Sequence, residues 1–360
     1  MPAFCEQTDV FISGTGGYHT YRIPSMVSTP HGTIMMFCEG RKNERSDTGD
    51  IALLCKRSTD GGVTWSGTHI VWDDPGNTCG NPCAVVDEVT GTIWLVMTHN
   101  LGVDRESEII NQTSLGSRTI WVSSSMDDGL NWSDPQEITT EVKDKNWTWY
   151  ATGPGAGIQL TSGRLIIPCD HIEAQSKRYY SHVIYSDDHG ETWKLGGSTA
   201  DDDVNECEAV ELENGAVVLN MRNYNKKEKT RALAVSYDAG ETWSHNVHDP
   251  ALIESTCQAS IRRYPVEGDY ILFSNPASET DRVNMTVRLS TDGCRTWGFS
   301  QCLHAGPSAY SSLTVFPDGT IGCLYERGEA HSYQKLTLAR FNLAWIMESR
   351  LNAETPGYIY

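Results

Sequence analysis

An eight-residue pattern, Ser-x-Asp-x-Gly-x-x-Trp, recurs along the chain and constrains its fold more than any other feature. It stands at Ser58/Asp60/Gly62/Trp65, Ser125/Asp127/Gly129/Trp132, Ser186/Asp188/Gly190/Trp193 and Ser236/Asp238/Gly240/Trp243. A fifth copy, Ser290/Asp292/Trp297, has Cys294 where the glycine belongs. Each follows a short apolar, β-branched run such as His182–Tyr185 or Met285–Leu289. The physical reading is a strand ending in a tight turn. Ser and Asp side chains bond the turn's own amides, the glycine takes a positive φ, and the tryptophan fills the hydrophobic gap beneath.

A second signal precedes each copy: a glycine opening an apolar strand. Counting a sixth without a turn motif, these glycines at 32, 91, 163, 215, 268 and 319 lie 59, 72, 52, 53 and 51 residues apart. Six units, each long enough for four strands, predict an all-β, six-bladed β-propeller in a single domain over residues 1–360. A β-sandwich or β-helix is the rival, but β-helix coils are far shorter. The last unit lacks a turn motif, and Val10-Phe11-Ile12 is expected to supply its closing strand. Helical patterning is confined to the stretch around Ala344–Met347.

Charge narrows the partners. The 47 acidic and 28 basic residues give a formal charge of -19, with no Lys/Arg block to offset it. This argues against nucleic acid and anionic membrane surfaces as partners, and none is expected. No run reaches the ~18 apolar residues of a membrane helix, so no membrane span is expected. The N-terminal Met1–Glu6 has neither the basic stretch nor the apolar core of a secretory leader. The expected compartment is the cytoplasm, or the lysosome or exterior if a leader has been removed. Eleven scattered cysteines, several inside apolar runs, suggest reduced thiols rather than a disulfide scaffold. Cys79-x3-Cys83 has no second ligand pair, and Gly14–Gly17 lacks a phosphate-loop lysine. No metal or cofactor is expected.

The propeller topology then sorts the chemistry. The segment after a blade's second strand and the entry to its first share one rim, while the turn motifs occupy the other. Arg41, Asp47, Arg222, Arg282 and Glu326 follow second strands; Arg22, Glu206 and Tyr310 lie at first-strand entries. Singly, each has a bland reading, as a surface arginine, a solvated acid or a rim tyrosine. Together, three guanidiniums at one mouth repel unless an anion or carboxylates sit among them. Their forked donors suit a carboxylate.

With Tyr21-Arg22-Ile23-Pro24, the repeated Asp boxes and the three dispersed arginines on the page, the chain resembles the exo-α-sialidases (neuraminidases) of the cellular and bacterial type, from about Tyr21 to Phe341. The resemblance implies a six-bladed propeller that hydrolyses terminal sialic acids with retention. It implies that Arg22, Arg222 and Arg282 clamp the sugar's carboxylate and that Glu326 holds the first of them. Tyr310 would be the nucleophile, Glu206 its base, Asp47 the acid/base at the leaving oxygen, and Arg41 a contact near O4. Glu208 and Glu211 compete with Glu206, and Asp50 with Asp47. Substrates would be sialylated glycoproteins, oligosaccharides or glycolipids. A KDN-preferring sialidase, a trans-sialidase and a non-catalytic propeller lectin are the alternatives.

Overall fold

Each glycine-opened apolar run forms a strand, and antiparallel pairing joins the strands in successive runs. The structure, a computed structural model, describes residues 2–225 and 227–349. The first run pairs Thr20–Ser28, Ile34–Arg41, Ile51–Ser58 and His69–Trp72. The second pairs Thr78–Val86, Ile93–Asn100, Thr119–Ser125 and Gln136–Glu137. The third pairs Trp147–Thr152, Leu165–Glu173, Tyr179–Ser186 and Lys194–Ser198. The fourth pairs Val204–Glu211, Val217–Asn223, Thr230–Ser236 and Val247–Ile253. In the fifth, Ser260–Arg263, Ile271–Pro276 and Val283–Ser290 lead into the long strand Phe299–Val315. That strand then turns to pair Ile321–Arg327, which pairs Lys335–Phe341 in a sixth run.

Contacts link the leading strands of neighbouring runs, except that the fourth run's leading strand meets Leu165–Glu173 and Tyr179–Ser186 of the third, and Phe299–Val315 returns to Thr20–Ser28, closing a ring. Closure is completed from the N-terminus. Cys5–Ile12 pairs antiparallel with Lys335–Phe341, burying Val10 and Phe11, so the strand expected around Val10–Ile12 is present and longer than expected.

Each box tryptophan packs on a different hydrophobic cluster: Trp65 near Phe11 and Leu338, Trp132 near Phe37, Trp193 near Ile167, Trp243 near Val183, and Trp297 near Phe273. The motif thus supplies core as well as turn; truncating such a tryptophan costs ~3–5 kcal/mol. In the first box the Ser58 hydroxyl donates to Asp60 Oδ1 at 2.8 Å, and the Gly62 amide donates to Ser58 Oγ at 2.9 Å. The amide and hydroxyl of Thr64 donate to the Asp60 carboxylate. Thr192, Thr242 and Thr296 repeat this bond, and Asn131 replaces it with its amide. The residue before the tryptophan is therefore part of the motif. Cys294 keeps the turn intact: its φ is +67° and its amide donates to Ser290 Oγ at 3.0 Å. The left-handed conformation costs a non-glycine residue ~1–2 kcal/mol, offset here by burial of the thiol beside Trp297.

The helix Leu343–Met347 lies where patterning placed one, while Glu106–Asn111 and Thr139–Val142 were not foreseen. All eleven cysteines are unbridged. Among the described residues no helix is long and apolar enough to cross a membrane.

Candidate active site

Five leading strands slip register, between Arg22 and Ser25, Gly80 and Cys83, Trp147 and Tyr150, Val204 and Cys207, and Ser308 and Ser311. A bulge adds an unpaired residue and re-aims side chains. Arg22, Asn81, Trp149, Glu206 and Tyr310 lie at these five slips, and all line one cavity of about 210 Å³. The cavity also collects Arg41 and Asp47 from the end of the first run's second strand and its loop, Arg222 from the fourth run, and Arg282 from a loop of the fifth.

Arg22 is buried, and its Nε and Nη2 donate to the two oxygens of Glu326 at 3.0 and 3.3 Å. Glu326 also accepts the backbone amides of Ile23 and Tyr310, both at 3.0 Å. One fully buried carboxylate therefore fixes a guanidinium and the backbone of the tyrosine together. Arg222 Nη1 donates to Glu206 Oε2 at 2.6 Å and to Tyr310 Oη at 3.1 Å. Arg282 donates to Tyr333 Oη at 3.0 Å and to the Thr256 carbonyl at 3.3 Å. Both Arg22 and Arg282 also stand over the Tyr310 ring, with Cζ 5.1 and 5.6 Å from its centroid. The three predicted arginines thus converge on the phenol, and among the described residues Arg282 has no carboxylate partner.

Tyr310 Oη donates to Glu206 Oε1 at 2.5 Å. Burial and the Glu206 carboxylate push the phenol well above its ordinary value, against the opposing pull of Arg222, Arg282 and Arg22. The arginines are outweighed, so the protonated phenol is favoured in the free protein.

Asp47 lies on the loop after Ile34–Arg41, with its side chain 67% exposed. Its Oδ1 is 2.7 Å from Arg41 Nη2 and 3.1 Å from Arg22 Nη1. Although the side chain is exposed at the cavity mouth, the protein crowded around it acts to raise this carboxyl; Arg41 and Arg22 outweigh that and hold it below the usual carboxylate value. Arg41 is itself buried and doubly bonded to Glu39 Oε2, at 3.0 and 2.7 Å. The rivals are accounted for elsewhere. Asp50 pairs with Lys42 at 2.9 Å, and Glu211 accepts from Thr161. Glu208 is buried and accepts from the Ala156 amide, the Ser260 hydroxyl and the Ile261 amide at 3.0, 2.7 and 2.9 Å. Burial pushes that carboxyl up to about 7.

The far wall escaped the sequence reading. Arg118 is buried, donates to Asn100 Oδ1 at 2.6 Å, Thr98 Oγ1 at 2.8 Å and Asn81 Oδ1, and stacks 4.2 Å over Trp149. Glu106 comes from the unforeseen helix, and Asp170 from the middle of Leu165–Glu173. Burial, then the charges of Glu206 and Glu106, push the Asp170 carboxyl well up; Arg118 and Arg222 do not offset them. One clue was available for Glu106: the 72-residue spacing from Gly91 to Gly163, the longest in the repeat, contains its helix.

Comparison with known proteins gives the family. Residues 32–323 match the family described as BNR repeat-like domain. A sialidase of Micromonospora viridifaciens is 35% identical, the alignment covering 96% of this chain and 55% of the bacterial protein. An exo-alpha-sialidase of Aspergillus fumigatus is 30% identical over 93% of this chain and 87% of the fungal one. The chain belongs to the sialidase family. A solved relative, Hadza microbial sialidase Hz136, superposes with a TM-score of 0.86 at 32% identity, covering 94% of this chain and 69% of that one. The ring of runs is accordingly the β-propeller of the sialidase family. This chain spans little more than half the length of the Micromonospora sialidase.

Proposed function

We propose that this sialidase-family chain is an exo-α-sialidase, a retaining hydrolase of terminal α-linked sialic acids on glycoproteins, oligosaccharides or glycolipids. The six runs are read as six blades around its site. The observation that carries the reading is the 2.5 Å contact between Tyr310 Oη and Glu206, enclosed by three arginines.

The anomeric carbon of a sialic acid bears its own carboxylate. An Asp or Glu nucleophile would meet it at a cost of about 4 kcal/mol for unit charges 4 Å apart near a protein surface. A neutral phenol avoids that repulsion, and tyrosine-using sialidases are an exception among retaining glycosidases. Arg22, Arg222 and Arg282 hold the substrate carboxylate, with Glu326 positioning Arg22. As Tyr310 Oη bonds to C2, its proton passes to Glu206, while Asp47 gives a proton to the departing oxygen. Water then attacks C2, Asp47 takes its proton, and Glu206 returns the phenol's proton as the C2–O bond to Tyr310 breaks. The arginines lie beneath developing positive charge and are balanced by the substrate's own carboxylate and by Glu206.

Binding also prepares the acid. A substrate carboxylate takes over Arg22, withdrawing one cation from Asp47 and adding a nearby negative charge. Both changes raise Asp47 toward the protonated form. Arg41 keeps it in place and faces the sugar's O4 region.

A sugar-binding lectin would need the clamp but not the trio of Tyr310, Glu206 and Asp47. Hydrolysis of a fluorogenic sialoside tests the reading. The natural chain is expected to release the fluorophore, and Tyr310→Phe to lose about a thousandfold or more in kcat. An inactive natural chain, on both N-acetyl and KDN sugars, would favour the lectin; an active Phe variant would remove the nucleophile assignment.

A further inference from the structure

Tyr333 has no part in the chemistry above, yet it stands between two of the three converging arginines. It belongs to the connection from Ile321–Arg327 to Lys335–Phe341 and lines the cavity. Arg22 lies over its ring, with Cζ 4.1 Å from the centroid, nearer than to the ring of Tyr310. At the far end of that ring the hydroxyl accepts from Arg282 Nη1 at 3.0 Å. Arg22 and Arg222 are fixed by carboxylates, 3.0 Å from Glu326 and 2.6 Å from Glu206. Arg282 is held instead by two neutral oxygens, the Tyr333 phenol and the Thr256 carbonyl. These use two of the five N–H donors of its fork and leave the rest, with the uncancelled charge, for an anion. The anchor is itself held. The Tyr333 carbonyl accepts from Ser13 Oγ at 2.9 Å, and its amide donates to His331 Nδ1 at 3.1 Å. The Ser13 amide donates to the Gln334 carbonyl at 2.9 Å, pinning the connection to the chain just after the closing strand Cys5–Ile12.

We propose that Tyr333 is a positioning residue that sets the first and third arginines relative to each other for the substrate carboxylate, an inference that rests on the sialidase reading. One side chain restrains both: its ring face backs Arg22, and its hydroxyl fixes where Arg282 Nη1 lies. The choice of a phenol has a physical reason. A carboxylate in its place would hold Arg282 firmly, but it would cancel the charge and repel the substrate's own carboxylate. An aliphatic side chain would leave the fork of Arg282 with the Thr256 carbonyl alone, to be ordered anew at each binding event. A neutral acceptor on a rigid ring avoids both costs.

The test compares the natural chain with Tyr333→Phe, which keeps the ring on Arg22 and drops only the hydroxyl. Inhibition is measured with 2,3-dehydrated sialic acid and with its carboxamide, which has the same sugar without the charge. The Phe variant is expected to bind the acid about tenfold more weakly and the amide less than about twofold more weakly. On a fluorogenic sialoside its KM should rise about tenfold while kcat changes less than about threefold, because the carboxylate is held alike before and during reaction. Tyr333→Leu, which also removes the ring, should lose more of the acid's affinity than Phe does; a Leu variant no worse than Phe would overturn the part assigned to Arg22. Equal losses on acid and amide would make Tyr333 a packing residue and overturn the proposal, as would unchanged or tighter binding of the acid by the Phe variant. A natural chain that neither cleaves the sialoside nor binds the acid would instead refute the sialidase reading beneath it.

Discussion

At Asp47, one carboxylate is shared by two arginines, Arg41 at 2.7 Å and Arg22 at 3.1 Å; under the proposed function the first stays and the second is claimed by the substrate. The sign of the resulting pH dependence follows. In the free protein the carboxyl is held low, so its acid form is lost early as pH rises. In the complex it is raised, and the acid form survives to higher pH. Because kcat/KM reports the free protein and kcat the complex, the falling limb attributable to Asp47 should lie at least ~1 unit lower in kcat/KM than in kcat. Coincident limbs would contradict the exchange of partners at Arg22. The same residue predicts leaving-group dependence. Asp47→Ala should cost about 10²–10⁴-fold on a sialyl-oligosaccharide, whose poor leaving group needs the proton. On an aryl sialoside, whose phenolic leaving group departs unaided, the loss should be far smaller. Equal losses would remove the acid role.

Among the elements, the leading strands decide where site residues point, and their bulges are the part the sequence shows least. Asp-box turns were legible because every bond in them joins residues within a few positions: Ser58 to Gly62, Asp60 to Thr64. The threonine went unrecognised because its position varies to asparagine at Asn131. Arg22, Glu206 and Tyr310 were legible through the resemblance. Arg118 and Asp170 were not, because what makes them notable is burial across from other strands, which neither motif nor period records. Glu208 competed with Glu206 in the sequence; the slip between Val204 and Cys207 and the partners of each acid separate them. Glu208 ties the fourth run to Ala156 on one side and to Ser260 and Ile261 of the fifth on the other. Glu208→Ala strands buried donors in both neighbours and should lower unfolding free energy by roughly 3 kcal/mol or more, read from the urea midpoint. An unchanged midpoint would mean that these bonds contribute little to holding the runs together.

Across the whole molecule, the proposed function requires a chain of charge -19 to admit an anion. The three arginines would reverse the field only locally, with no long-range attraction. Raising salt from ~10 to 150 mM should therefore change kcat/KM less than about twofold, since screening removes no steering; a steep fall would contradict this. The ring explains how such distant residues meet. Cys5–Ile12 closes the last run, placing Arg22 beside Glu326, 304 positions away in sequence. That convergence on one sugar carbon is the central claim, and covalent trapping tests it most directly. A 2,3-difluorinated sialic acid has a fluoride at C2 that can leave, and its fluorine at C3 slows the second displacement. After incubation and proteolysis, peptide mass mapping should find the sugar attached to Tyr310 and find no adduct in Tyr310→Phe. An adduct on Glu206 or on any other side chain would contradict the account.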